Sequence, residues 1–166
     1  MEGKKIHLTY GLVTALIMAV LSTILYVSGL SFKPGMQYIT YIPFLIGILL
    51  NAIAYSKVND GMVTFGQVFS SCFKACAIVT LVTLVWSFIS LAVFPDMVNK
   101  AMEVARQNMV EKNLSDEQID KAIEITRKFF TPFMIAGVIF GTMFVGALFS
   151  VIGAAVAKKS RVPVAQ

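Results

Sequence analysis

The residues able to do chemistry are few, and their spacing decides what they can do. The chain has one histidine, His7, and two cysteines, Cys72 and Cys76. A zinc or redox centre needs thiolates at C-x-x-C spacing or converging His and Cys ligands, and two cysteines four apart in an apolar helical pattern supply neither. They read as small buried or lipid-facing residues. His7 stands beside Lys4 and Lys5 at the edge of an apolar run, the place of an interfacial residue rather than a general base. No Walker-type glycine loop occurs, and the long apolar runs contain no carboxylate to act as acid, base or proton relay. The expected inventory is therefore catalytic none, cofactor-binding none and metal none, and the chain reads as no enzyme.

One ionisable residue, Lys74, falls one position before an uncharged run that starts at Ala75. An ammonium near membrane depth is a functional hypothesis by default, but its four-carbon stem can lift it to the headgroups, and snorkelling is the expected role. Thr40, Asn51, Thr80 and Thr83 are expected to bond across helices or to their own carbonyls. Gly137 and Gly141 form a G-x-x-x-G pair, read first as packing within the monomer and second as a homo-oligomer contact.

The elements that must position these residues follow from charge segregation. Residues 8–30, 34–56, 75–94 and 129–157 hold 23, 23, 20 and 29 residues without a charge, and all 23 charges fall elsewhere. A hydrocarbon core of about 30 Å takes roughly 20 apolar helical residues to cross. The first run follows a basic start, as a secretory signal does. At 23 residues it exceeds the roughly 7 to 15 of a signal core, so it reads as a span, with Val27-Ser28-Gly29 noted as a cleavage-like spacing. The fold class is all-α, a polytopic membrane protein with four transmembrane helices in a single membrane domain over 1–166. The spans lie near 8–30, 35–56, 75–94 and 130–157, the first two joined by a Lys33-Pro34-Gly35 turn. Pro43 is expected to kink the second. Residues 64–74 carry apolar positions at helical spacing and are expected to lie along the headgroups as an interfacial helix.

Residues 95–128 hold thirteen of the 23 charges, seven acidic and six basic. Met102 and Met109, then Ile119 and Ile123, recur at helical spacing, and Ser115 with Gln118 makes a capping box, so an amphipathic helical hairpin is expected there, outside the hydrocarbon. Acid-before-base pairs at i, i+4 are Asp96 with Lys100, Glu117 with Lys121, and Glu124 with Lys128. Lys4, Lys5, Lys57, Lys74, Lys158, Lys159 and Arg161 gather on the side of the termini, against a nearly balanced opposite side. That places the termini in the cytoplasm and the hairpin outside it, and the net charge of +5 reads as orientation rather than nucleic-acid binding.

Three stretches carry a family resemblance: Thr64-Phe65-Gly66-Gln67, Leu114-Ser115-Asp116-Glu117-Gln118-Ile119, and Lys128-Phe129-Phe130-Thr131-Pro132. The chain resembles the domain of unknown function 4199 family over nearly its whole length. The resemblance implies a bacterial integral inner-membrane protein and brings no catalytic residues with it. The expected function is a non-enzymatic accessory or structural membrane subunit, with the lipid bilayer as its surroundings and residues 95–128 as the contact for a membrane or extracytoplasmic partner. The alternative is a small transporter or channel component.

Overall fold

The computed structural model describes residues 5–158, the side chain of Gln37 excepted. Lys4, Lys159 and Arg161, counted above among the terminal charges, lie outside the described residues. The elements are α1 (Ile6–Val27), a 3-10 turn (Met36–Thr40), α2 (Tyr41–Val58), α3 (Phe65–Val93), α4 (Met97–Glu111), α5 (Asp116–Lys128) and α6 (Phe130–Val156), with no strand among the described residues. Four helical stretches, Ile6–Val27, Tyr38–Val58, Phe65–Val93 and Phe130–Val156, are long and apolar enough to cross a membrane. Their outer faces leave large apolar side chains uncovered, with Leu16 and Val20 60% exposed and Phe140 75% exposed. Apolar surface on that scale is unstable in water and is satisfied by lipid. The architecture is that of a polytopic membrane protein.

Local chemistry sets where the helices begin and end. Thr64 Oγ1 accepts from the Gln67 amide while Gln67 Oε1 accepts from the Thr64 amide, a reciprocal box that starts α3, and Ser115 with Gln118 starts α5 in the same way. Gly61, at φ +74°, takes the left-handed backbone that closes α2, and its amide returns to the Ser56 carbonyl at 2.8 Å. Two expectations are corrected. The helix expected at 64–74 is not a separate interfacial element, because α3 runs unbroken for 29 residues, about 43 Å, and Val68 and Cys72 are fully buried in the bundle. Pro43, expected to kink the middle of a span, lies instead in the first turn of α2, which begins at Tyr41, where a proline removes an amide that α2 itself would not bond.

The central pair is α2 and α3. Each touches α1 on one side and α6 on the other, and α1 and α6 make little contact with each other. Small residues bring the backbones together. A Cβ on Gly47 would overlap the Thr14 hydroxyl, and one on Gly146 would stand 2.8 Å from both Cβ and Sγ of Cys76. A Cβ on Gly11 would stand 3.0 Å from the Ala75 carbonyl oxygen, and one on Gly153 3.2 Å from the Cβ of Ala52. Around these crossings Phe44, Ile48, Val68 and Val79 are wholly buried. The monomer does not use Gly137 and Gly141 for this purpose, since a Cβ on either would meet nothing within 4 Å. Close packing in α6 falls instead on Gly146, Ser150, Gly153 and Ala154, all in its second half.

The helices α4 and α5 pack chiefly on one another, burying Met102 and Ile119. Arg106 is tied to Asp120, and Arg127 donates to Asn99 Oδ1 at 3.1 Å. Of the three expected i, i+4 ion pairs only Glu117 with Lys121 forms, at 2.6 Å. Lys100 leaves Asp96 to sit 5.2 Å from the ring centre of Tyr26, and Lys128 sits 5.7 Å from that of Phe129.

Gly47→Ala and Gly146→Ala should each destabilise the bundle by about 1 to 3 kcal/mol, the usual cost of overpacking. Gly137→Ala and Gly141→Ala should be neutral or slightly stabilising, since alanine is the better helix former. Loss of helical ellipticity in a sodium dodecyl sulfate titration compares the four, and equal losses at all of them would mean that the helices close elsewhere.

Candidate functional site

Because helical side chains three or four apart share a face, α3 carries a line of small polar groups down its length: Ser71, Cys72, Cys76, Thr80, Thr83, Ser87 and Ser90. Polar atoms in an apolar bundle must find partners, and most of these do. Asn51, wholly buried on α2, donates through Nδ2 to Ser71 Oγ at 3.3 Å and Cys72 Sγ at 3.4 Å. The Cys76 thiol donates to the Gly146 carbonyl at 3.3 Å and lies 3.5 Å from Ser150 Oγ, which itself donates to the same carbonyl at 2.7 Å. Thr80 donates to the Cys76 carbonyl at 2.9 Å, and Ser87 to that of Thr83 at 2.9 Å. Two buried atoms lack any hydrogen-bond partner among the described residues, Asn51 Oδ1 and Thr83 Oγ1.

The line ends in a different cavity at each end of the bundle. At the end holding the start of α1, His7, Tyr55, Thr64, Gln67, Ser70, Ser71 and Lys74 line a polar cleft of about 720 Å³. At the other end a cavity of about 330 Å³ opens between α1, α3 and α6. Its lining combines hydroxyls (Ser22, Thr23, Ser31, Thr83, Ser87 and Ser90) with aromatic and aliphatic groups (Tyr26, Phe32, Trp86, Leu91, Phe94, Met97, Phe130 and Met134). Ser22, Thr83 and Trp86 also border a small void of about 90 Å³ with Met18, Ala19 and Thr40. The larger cavity exists because α6 is held close at its small-residue half and carries bulky Phe130 and Met134 at the other.

The residues singled out from sequence fall as follows. His7 and Lys74 share the polar cleft, Lys74 exposed and His7 half-buried. Gln67 and Ser71 join them, Gln67 exposed and Ser71 buried at the base of the cleft, where its hydroxyl accepts from Asn51. Cys72 and Cys76 are free and fully buried. Asn51 bonds across helices and Thr80 to its own helix, as expected, while Thr83 bonds to neither. Thr40 lines the small void. Among the described residues no three His, Cys, Asp or Glu side chains come together as a metal site. Sequence reasoning missed the hydroxyl lining and Trp86. Its signal was the hydroxyl residue at every third or fourth place from Thr80 to Ser90, hidden because each is small and uncharged.

Burial predicts that Cys72 and Cys76 resist maleimide in the folded, detergent-solubilised protein and react fully once it is unfolded in sodium dodecyl sulfate; fast labelling of either in the folded state would contradict the packing. Lys74→Gln, at an exposed site, should leave the unfolding midpoint within about 0.5 kcal/mol of the parent. A larger loss would assign Lys74 a structural bond rather than an interfacial position.

Comparison with known proteins places the chain in a family. No curated protein and no solved structure matches it. The sequence profile of the family described as Protein of unknown function (DUF4199) matches residues 9–159, most of its length. The four-span chain with its polar seam is a member of the DUF4199 family.

Proposed function

We propose that this protein is a non-enzymatic accessory or structural subunit of the bacterial inner membrane, with cytoplasmic termini and with α4 and α5 as an extracytoplasmic hairpin that contacts a protein partner. One observation carries the reading. Residues 95–128 hold thirteen of the chain's 23 charges, and the two helices within them bury little beyond Met102 and Ile119 and pack on each other rather than over the bundle. Membrane-facing surfaces offer lipid-like side chains with little to recognise, so specificity belongs where charges and apolar groups are presented together. Val110 and Ile125 are exposed on this pair, 56% and 55%, amid the charges. Support for the orientation comes from Lys5, Lys57, Lys74 and Lys158 at the end opposite the pair. The Ser56 hydroxyl donates to the Lys158 carbonyl, which brings the ends of α2 and α6 together at that basic end.

A small transporter or channel component is the second reading, favoured by the polar line along α3. Against it, Phe44 and Ile48 pack the middle of the bundle with no exposure, and no carboxylate lies in the four helices to couple protons. A homo-oligomer would use the uncovered Gly137 and Gly141 face of α6.

In a background free of Cys72 and Cys76, a cysteine at Asn113 should be blocked by an impermeant reagent in intact cells and one at Ser160 should not. The reverse pattern overturns the orientation. Glu103 and Lys112 are exposed and form no ion pair among the described residues, unlike Arg106. Glu103→Lys with Lys112→Glu should therefore keep insertion and helix content while removing a crosslinked partner. An unchanged crosslinking profile reduces the pair to a connector.

A further inference from the structure

We propose that the cavity between α1, α3 and α6 is a binding site for a neutral amphiphile, an apolar body carrying one carbonyl-type hydrogen-bond acceptor that is held by the Thr83 hydroxyl and the Trp86 indole N–H. Its volume, about 330 Å³, lies at the small end of ligand pockets, and its composition matches theirs, mostly apolar with a few polar groups. No charged side chain lines it, so neither a carboxylate nor a phosphate would find a counter-charge.

The polar lining has donors to spare. Ser22 and Thr23 both donate to the Ala19 carbonyl, at 2.9 and 2.8 Å, and Ser87 donates to that of Thr83. Those hydroxyls have spent their only proton. Thr83 Oγ1 has not, and it is buried without a partner, a state that costs free energy unless something in the cavity accepts its hydrogen bond. Trp86 borders the same space as Thr83, and its indole N–H, which unlike Thr83 Oγ1 is not fully buried, makes no hydrogen bond among the described residues. Unspent donors at Thr83 and Trp86, joined on the lining by the hydroxyls of Ser31 and Ser90 in a chamber otherwise mostly aromatic and aliphatic, suit an acceptor joined to hydrocarbon. A second-copy helix or a peptide would bring paired backbone groups and leave both donors unspent.

Two sources carry that chemistry, the ester carbonyl of a glycerolipid and the ring carbonyl of an isoprenoid quinone. Trp86 is the chain's only tryptophan, so its fluorescence reports on the site directly. Detergent-solubilised protein is titrated with a monoacylglycerol brominated on its acyl chain, with a short-tailed quinone, and with the matching brominated fatty-acid anion. The expected result is saturable quenching by a neutral probe, with the anion at least tenfold weaker. Saturation by the monoacylglycerol alone names the lipid as source, and saturation by the quinone alone names the quinone pool. Thr83→Val keeps the shape and removes the donor, and should weaken the neutral probe about tenfold. Ser90→Leu fills the cavity and should abolish saturation, whereas Phe140→Leu, on the outer face, should change nothing. Circular dichroism of each variant separates loss of binding from loss of fold. Quenching that never saturates, that favours the anion, or that is the same in Thr83→Val and Ser90→Leu as in the parent would overturn the proposal.

Discussion

The close approach of α3 to its three neighbours is the constraint on which the rest of the structure depends. In hydrocarbon the spans gain nothing by hiding apolar side chains from one another, because lipid covers them equally well. What holds them is dispersion at short range, and that needs backbones without intervening side chains. Gly146 against Cys76, Gly11 against Ala75, and Cys72 against the Ile48 carbonyl bring α6, α1 and α2 onto α3, while Gly47 against Thr14 closes α2 on α1. The contacts made by α3 gather along one stretch, from Val68 to Thr80, where its buried residues are also concentrated. Past Thr80 the helices have no such small partners. They are spaced by Trp86, Phe130 and Met134, and a cavity results.

The same closeness explains the thiols. At a crossing too tight for leucine, cysteine is a small apolar side chain that still offers a weak donor. Cys72 donates toward the Ile48 carbonyl and Cys76 to the Gly146 carbonyl, so each sits at a helix crossing and ties α3 to a different neighbour. Asn51 adds a stronger bond at the first of these points. Such bonds are worth about 1 kcal/mol or less apiece in a membrane bundle, too little to hold it together. Their larger effect is on register, since sliding α3 by one residue would leave Asn51 Nδ2 and the two thiols buried without these partners.

The sequence revealed whatever is written in long averages. Four runs without charge set four spans, the swing to thirteen charges in 95–128 marked α4 and α5, and Ser115 with Gln118 marked the start of α5. It was misleading where one residue acts through its exact place. Pro43 looked internal to a span because hydropathy does not show that α2 begins only two residues earlier. Thr64 and Gln67 form the same box as Ser115 and Gln118, yet the apolar face of residues 65–76 read as interfacial because its partners on α2 and α6 are far away in sequence. G-x-x-x-G spacing pointed to Gly137 and Gly141, while the glycines in use are Gly146 and Gly153, seven apart and two turns along the same face. A small residue reveals its purpose only through what stands opposite it, and that is not local information.

The cavity also has a position that neither its volume nor its chemistry conveys. Phe94 and Met97 on its wall are where the chain leaves α3 for α4, and Phe130 and Met134 are where it rejoins the bundle in α6. Tyr26 completes the junction, with its ring 4.7 Å from that of Phe94 and the Lys100 ammonium over it. The two roots of the charged pair therefore meet on one chamber, and a body filling it touches both. A coupling between two sites requires contacts that differ between two arrangements of an element they share. Here the element shared by the chamber and the charged helices is the pair of roots. The packed crossings around Val68 to Thr80 lie at the other half of the bundle, so the roots of α4 and α5, and not those crossings, are what an occupant of the chamber would touch.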